Sequence, residues 1–366
     1  MRILVLLTDL FDKFGGIQTF NRCIVNALSS LAEKNNWQVY VFVLNDKGNS
    51  SLIPKYIKSK NIVYKGFKGN KILYTLTNIF FSMKSNIVFL GHINFAPLVP
   101  FFLSNKNKRY LVIHGIDVWK KLSNLQIEGI SEIDKIISVS NFTKEQMLKF
   151  NNILNTKFTI LNNCLDPIFQ DKNQKLYSKK ELNLPNNPII LSVSRLDDAD
   201  KYKKIDLVIK SMPFILKEIP NATYVIVGDG NDRPRLEQIT KNISVNNNVI
   251  FTGEVPHDLL SSYYNACDVF VLPSLKEGFG IVFLEAMYYA KPCVGAKAGG
   301  IPEVIEDGVT GFLWDTGYVY SLADIIIRLL KNDDLKQSLG LAGKERLNKM
   351  FAFELFQKEL ENILCQ

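Results

Sequence analysis

The sequence predicts an α/β protein built from two doubly wound, Rossmann-like parallel-sheet domains, and three observations carry that expectation. Short apolar runs of strand type alternate with helix-like stretches along the whole chain. The alternation falls into two series, separated by the polar segment Asp166–Pro188. At 366 residues the chain also exceeds one usual core, so two domains of about 150–200 residues are expected.

In the first series the strand-like runs are Ile3–Leu7, Gln38–Leu44, Ile62–Tyr64, Ile87–Leu90, Tyr110–Ile113 and Lys135–Val139, with helices among them at Thr19–Glu33 and Thr143–Phe150. The second series has strands at Ile189–Val193, Ala222–Val227, Val249–Thr252, Val269–Leu272 and Pro292–Ala296. Its helices fall near Asp206–Lys217, Arg233–Asn242, Asp258–Ala266, Ile281–Tyr289, Ile301–Glu306 and Ser321–Leu330. The domains are therefore drawn at 1–166 and 167–350. A final helix, Ala352–Leu364, is not placed by its own pattern.

Composition excludes several classes. The five cysteines (Cys23, Cys164, Cys267, Cys293, Cys365) are scattered, with no Cys-x-x-Cys pair and no nearby histidine. A disulfide framework or a metal site is not expected, and a reducing, cytoplasmic compartment fits. The start MRILVLL has an apolar run of only Ile3–Leu7 before Asp9, too short for a signal peptide. Ile87–Leu103 is the most hydrophobic stretch, but Gly91, His92, Asn94, Pro97 and Pro100 interrupt it, so it does not read as a membrane span. Charge is lopsided: residues 1–170 hold 21 Lys and Arg against 10 Asp and Glu, whereas residues 171–366 hold 23 against 26. The first half should thus meet an anionic ligand or surface. No nucleic-acid-binding signature accompanies the charge, so no nucleic-acid partner is expected.

Chemistry concentrates in Val269 to Met287, VFVLPSLKEGFGIVFLEAM. A strand ends at Pro273, a loop carries Gly278 and Gly280, and a helix starts at Ile281. Unpaired N–H groups at a helix start attract an anion. Yet Glu277 and Glu285 stand in the same stretch, and carboxylates repel phosphate while they accept hydrogen bonds from hydroxyls. A ligand with phosphates in the middle and hydroxyl-rich groups at both ends meets both demands, as a nucleotide-diphosphate sugar does. The plain alternative is a strand-turn-helix whose acids cap or solvate the helix. Here the residues resemble the Glu-x7-Glu motif of the retaining GT-B glycosyltransferases of family four (group 1 glycosyl transferases), standing as Glu277-Gly-Phe-Gly-Ile-Val-Phe-Leu-Glu285.

Other motifs extend the resemblance. Gly15 and Gly16 follow the first strand; they are either a turn or, as the resemblance implies, the loop that meets the donor diphosphate and the acceptor. Arg195 at a strand end and Lys203 in the following loop suit the roughly two negative charges of a diphosphate. They match the family's Arg-x7-Lys-Gly-x-Asp, with Lys204 in place of the usual glycine. Asp198-Ala-Asp200 has the D-x-D form that binds metal in a different glycosyltransferase fold; between Arg195 and Lys203 it reads as a solvated loop, and no metal or other cofactor is expected. By resemblance His114 touches the donor sugar, and His92, also at a strand end, is an acceptor-side candidate. Asn163-Cys164-Leu165-Asp166 resembles the family's Asn-Gly-Val-Asp and reads as a hinge. Gly228 lies in a Val-Gly-x-Gly turn, and the base is placed near Gly253–Val255. Gly299-Gly300-Ile301-Pro302-Glu303 and Gly308-Val309-Thr310-Gly311 read as turns or as phosphate-facing loops.

The resemblance implies the GT-B architecture, two Rossmann-like domains facing across a cleft, with the segment 351–366 crossing back onto the first. It implies transfer of a hexosyl unit from a UDP- or GDP-sugar to a hydroxyl of a glycan or lipid-linked acceptor, with retained configuration, in cell-surface polysaccharide synthesis. The expected catalytic residues are Glu277, His114, Arg195 and Lys203. Donor contacts are expected from Gly15, Gly16, Arg195, Lys203, Gly228, Val255, Glu277, Gly278, Phe279, Gly280, Ile281 and Glu285. A nucleotide-sugar epimerase, or a silent nucleotide-sugar-binding relative, remains the alternative. A nicotinamide dehydrogenase does not fit, since Asp9–Gly16 supplies no Gly-x-Gly-x-x-Gly.

One pattern lies outside this scheme. After Lys65-Gly-Phe-Lys68-Gly-Asn-Lys71, the residues Ile72, Leu76, Ile79, Phe80 and Met83 recur on one helical face, and Lys84 closes the run. This face either packs on the first sheet or lies on an acidic membrane, which would make the protein peripheral on the inner face of the plasma membrane.

Overall fold

The computed structural model describes residues 1–104, 106–170 and 175–365, the side chain of His257 excepted. The chain divides into two compact units: Met1–Gln170 together with the C-terminal segment from Phe351, and a second unit that runs to Met350.

The first unit holds strands β1 (Arg2–Leu7), β2 (Gln38–Val43), β3 (Ile62–Gly66), β4 (Ile87–Leu90), β5 (Lys108–Ile113), β6 (Lys135–Ser138) and β7 (Phe158–Ile160). They form one parallel sheet in the order β3-β2-β1-β4-β5-β6-β7. The second unit repeats the plan with β8 (Ile189–Val193), β9 (Thr223–Val227), β10 (Val249–Gly253), β11 (Val269–Leu272), β12 (Cys293–Ala296) and β13 (Gly311–Trp314), ordered β10-β9-β8-β11-β12-β13 and again parallel. Central strands such as β4, β9 and β11 are buried throughout, which is why they read as continuous apolar runs rather than alternating ones. In each sheet the order reverses once, at β1/β4 and at β8/β11. Loops leaving the carboxyl ends of the strands at such a point diverge and leave room for a ligand.

The edge strands β7 and β13 were not expected from sequence, nor were the helices Asn124–Ser131 and Asp333–Met350. The apolar stretch after β4 becomes a 3-10 segment, Ile93–Phe101, with Pro97 and Pro100 inside it. Among the described residues no helix is long and apolar enough to cross a membrane. The C-terminal helix Phe353–Cys365 packs on Gly16–Asn35: Phe356 meets Phe20 edge-on at 5.6 Å and Glu361 pairs with Lys34 at 2.9 Å. The chain reaches it through a Leu165 N–H bond to the Phe351 carbonyl.

Asp166, read as the start of a polar linker, is instead buried in the first unit. Tyr56 donates to its Oδ2 at 2.6 Å and Arg22 lies at 3.6 Å, so the carboxylate leaves water only in exchange for a hydroxyl and a cation. The helix Lys71–Ser82 also departs from the usual pattern. Its buried side chains are Tyr74, Asn78 and Ser82, while Ile72, Leu73, Leu76 and Phe80 are exposed. Of the five residues on the face singled out in the sequence, only Ile79 packs on the core.

Candidate active site

In the second unit the loops after β8 and β11 come together because these strands are sheet neighbours. The Leu275 N–H donates to the Tyr202 carbonyl at 2.8 Å and ties the two loops through backbone. Across that tie Lys203 Nζ forms an ion pair with Glu277 Oε1, both side chains largely buried. The Gly300 N–H donates to the Glu277 carbonyl at 2.7 Å. Gly299 sits at φ +62°, and a Cβ there would lie 2.5 Å from the same carbonyl oxygen. These two glycines therefore let the β12 loop close over Glu277, a close-packing role that the turn reading left open.

Arg195, at the end of β8, is mostly exposed and pairs with Asp200 Oδ2 at 2.9 Å. Asp200 itself is buried, at 6% exposure, which corrects the solvated-loop reading of the D-x-D at this residue, while Asp198 is exposed as expected. The compensation is local: Tyr202 donates to Asp200 Oδ1 at 2.7 Å, and burial together with Asp200 holds that phenol protonated. Asp198 turns the other way, to Lys201 at 2.6 Å, so the two D-x-D carboxylates serve different cations. Among the described residues no group of three or more His, Cys, Asp or Glu side chains is placed to hold a metal ion.

Lys204 adopts φ 59°, ψ 33° immediately before the helix Ile205–Glu218. This is the left-handed conformation that a glycine takes without penalty, which gives the physical reason that a glycine there would be the natural choice. The chain makes the turn regardless, and Lys203 is delivered to Glu277.

Gly280, at φ 102°, starts the helix Ile281–Tyr288, and Phe279 beneath it is buried. Glu285 lies on this helix, where Tyr264 donates to its Oε2 at 2.6 Å. Burial and the neighbouring carboxylate keep the Tyr264 phenol well above its ordinary range, so it remains a donor. Gly228 touches the β8 loop, where a Cβ would fall 1.9 Å from the Ser194 carbonyl oxygen, and its N–H donates to the Gly253 carbonyl at 2.9 Å. Val255 follows two residues on, half-buried. The structure thus gathers Arg195, Lys203, Glu277 and Gly278 at one switch point, with Gly228 packed against the same β8 loop. Sequence reasoning missed Asp200, Tyr202 and Tyr264 as partners; Asp200 is one of three carboxylates within five positions of Arg195, with Asp197 and Asp198, and nothing local singles it out, whereas Tyr264 lies 21 positions from Glu285 with no motif to mark it.

The first unit places Gly15, Gly16, His92 and His114 at the carboxyl ends of β1, β4 and β5. Phe20, on the helix that Gly16 starts, meets the His114 ring edge-on at 5.3 Å, and the His92 ring stacks on it at 6.0 Å. His114 Nε2 lies 2.8 Å from the Gly91 carbonyl oxygen, which only accepts, so Nε2 carries the proton. Burial lowers the His114 pKa to about 4, leaving a neutral ring whose Nδ1 accepts. His92 is lowered as well, by burial first.

The sequence model of the family described as glycosyl transferases group 1 matches residues 173–346. The chain is also 31% identical over 283 residues to the N-acetyl-alpha-D-glucosaminyl L-malate synthase of Bacillus anthracis, covering 75% of this chain and 72% of that one. The chain belongs to the group 1 glycosyl transferases. It is further similar to a GDP-mannose-dependent alpha-(1-6)-phosphatidylinositol monomannoside mannosyltransferase of Mycobacterium tuberculosis, 30% identical over 193 residues, 51% of this chain and 49% of that one. Among solved structures, Anabaena HepE in complex with UDP-glucose superposes with a TM-score of 0.80 at 19% identity, covering 100% of this chain and 99% of that one. That likeness shows the GT-B fold. In this group 1 glycosyl transferase the family match spans the second unit's strands, the stretch that carries Arg195, Lys203, Glu277 and Glu285.

Proposed function

We propose that this glycosyltransferase moves a hexosyl unit from a UDP- or GDP-sugar to a hydroxyl of a glycan or lipid-linked acceptor, with retention and without a metal, in the assembly of cell-surface polysaccharide. The observation that carries the reading is the Lys203–Glu277 pair at the β8/β11 switch point. One of the three Lys203 N–H donors is engaged by Glu277, and two are left for phosphate oxygens. Arg195 offers a guanidinium fork beside it. Glu277, held by Lys203 and by the loop that Gly299 and Gly300 close, accepts from sugar hydroxyls. Glu285 accepts from the ribose diol, steadied by Tyr264.

In the reaction the bond from the sugar's anomeric carbon to the diphosphate oxygen breaks, and a bond to the acceptor oxygen forms on the same face. The acceptor's proton passes to the leaving phosphate, so no enzyme carboxylate is needed as a nucleophile. Arg195, Lys203 and the start of the helix Ile281–Tyr288 stabilise the charge that grows on the leaving group, an effect worth several kcal/mol in a preorganised site. Neutral His114 accepts a substrate hydroxyl through Nδ1 and is not an acid. Relatives support the donor class: the mycobacterial enzyme's name specifies GDP-mannose, and HepE was solved with UDP-glucose.

Melting with UDP and with GDP tests the site. A nucleotide at a hundred times its dissociation constant should add about 2.7 kcal/mol, with the same upshift in EDTA. No shift with either nucleotide, or a shift lost in EDTA, contradicts the reading.

A further inference from the structure

The helix Lys71–Ser82 carries an apolar stripe on its outer side. On a helical projection Ile72, Leu73, Leu76, Phe80 and Met83 fall in one stripe, and Tyr74, Asn78 and Ser82 fall opposite. The opposite side faces the sheet: Tyr74 donates to the Leu7 carbonyl at 3.2 Å, Phe81 packs on Phe42 at 5.0 Å, and the buried Asn78 and Ser82 satisfy themselves on the helix's own backbone, at the Tyr74 carbonyl (2.8 Å) and the Ile79 carbonyl (2.7 Å). The apolar stripe faces out, with Ile72 at 75% and Leu76 at 63% exposure. Exposed apolar side chains also occur beyond the helix. Asn107 Nδ2 donates to the Ser82 carbonyl at 3.0 Å, so the approach to β5 lies at the helix end, and Phe101 and Leu103 are also 61% and 71% exposed. An exposed apolar stripe such as that of the helix marks an interaction surface.

The rim identifies the partner. Exposed Lys65 and Lys68 precede the helix and Lys71 opens it, and exposed Lys84, Lys106 and Lys108 lie near its other end. Lys84 Nζ sits 4.3 Å from the Phe80 ring, so this cation lies at the edge of the apolar stripe. From Asp46 to Asp117 the chain carries eleven Lys and Arg and no Asp or Glu between them. A surface that is apolar in the middle and cationic around the edge, on a stretch of chain without carboxylates, complements one thing in particular: a bilayer whose headgroups are anionic and whose acyl boundary lies just beneath. A second copy of the chain would set lysine rim against lysine rim.

We propose that this face of the first unit docks on an acidic lipid bilayer, with Ile72, Leu73, Leu76 and Phe80 in the headgroup–acyl boundary and the lysine rim on the headgroups. Docking needs no donor, acceptor or turnover, so its test stands apart from the transfer reading.

The test is sedimentation of the full chain with phosphatidylcholine vesicles and with vesicles that also contain phosphatidylglycerol. Binding should be confined to the second kind and should weaken steeply as salt rises from about 0.1 M to about 1 M, where the screening length falls from about 10 Å to about 3 Å. Replacing Lys68 and Lys71 by glutamine should weaken binding about fivefold per lysine. Leu76→Asp with Phe80→Asp should abolish it. These side chains are exposed, so the double variant should keep its melting temperature and its nucleotide-induced shift. Equal recovery in the supernatant with both kinds of vesicle overturns the proposal. So does a concentration-dependent dimer that the same double variant dissolves, which would assign the face to a second copy.

Discussion

Lys203 and Glu277 lie 74 positions apart and form an ion pair where the loops after β8 and β11 meet, and neither loop would hold its charge there alone. The pair joins the two halves of the proposed ligand, phosphate on the lysine side and sugar hydroxyls on the carboxylate side. Its consequences differ from those of a surface salt bridge, which contributes little to function.

Glu277→Gln and Lys203→Met should each lower transfer by about a hundredfold or more, the loss typical of one preorganised transition-state contact. Because the two act as a unit, the double variant should lose little more than the worse single one. Melting temperatures should stay within about 4 °C of wild type. Steady-state transfer rates and thermal melts check this together. Retained activity in both single variants would show the site to be misassigned.

Lys204→Gly should stabilise the protein. The left-handed backbone costs a lysine about 1–2 kcal/mol, partly offset by the greater freedom of glycine in the unfolded chain. A net gain of about 0.5–1 kcal/mol, or an upshift of about 1–4 °C for a unit of this size, is expected in a thermal melt. A drop in melting temperature would mean that the Lys204 side chain has a stabilising role greater than the strain.

His114 gives a pH signature. The unfolded chain takes up a proton on this histidine near its ordinary pKa of about 6.5, whereas the folded ring holds out to about 4. Stability is therefore lost as pH falls through that window, by up to about 2 kcal/mol between pH of about 7 and about 5. His92, lowered too, adds to the loss, and Asp117, whose pKa burial raises, opposes it. Comparing His114→Gln with wild type in denaturant at both pH values isolates the histidine. The variant should show the shallower loss, and parallel losses would contradict the assignment of a buried neutral ring.

How much of this was legible in the sequence depends on distance along the chain. Buried parallel strands announce themselves as apolar runs, so all the described strands except β7 and β13, eleven in number, could be read directly, and the Glu277–Glu285 spacing marks the loop and helix in one motif. β13 was hidden because it opens on Gly311, where a Cβ would meet the Cys293 carbonyl oxygen at 2.2 Å; the glycine that permits this close strand contact reads locally as a turn. β7 has three residues at a sheet edge and no buried alternation to betray it. Asp200 and Asp166 look solvated because a carboxylate's burial depends on partners elsewhere, Arg195 and Tyr202 for the one, Arg22 and Tyr56 for the other. The helix Lys71–Ser82 shows the same limit from the other side. Its stripe was visible, but only packing reveals that the stripe turns outward while Tyr74, Phe81 and the buried Asn78 and Ser82 turn inward.

The most direct measurement follows the anomeric proton of UDP- and GDP-sugars by NMR while the protein, in EDTA, transfers the sugar slowly to water. The account predicts that one donor class is consumed and that the first-formed free sugar has the donor's own anomeric configuration, with Lys203→Met abolishing the signal. An inverted first product, turnover that requires a divalent metal, or undiminished turnover in Lys203→Met would contradict it.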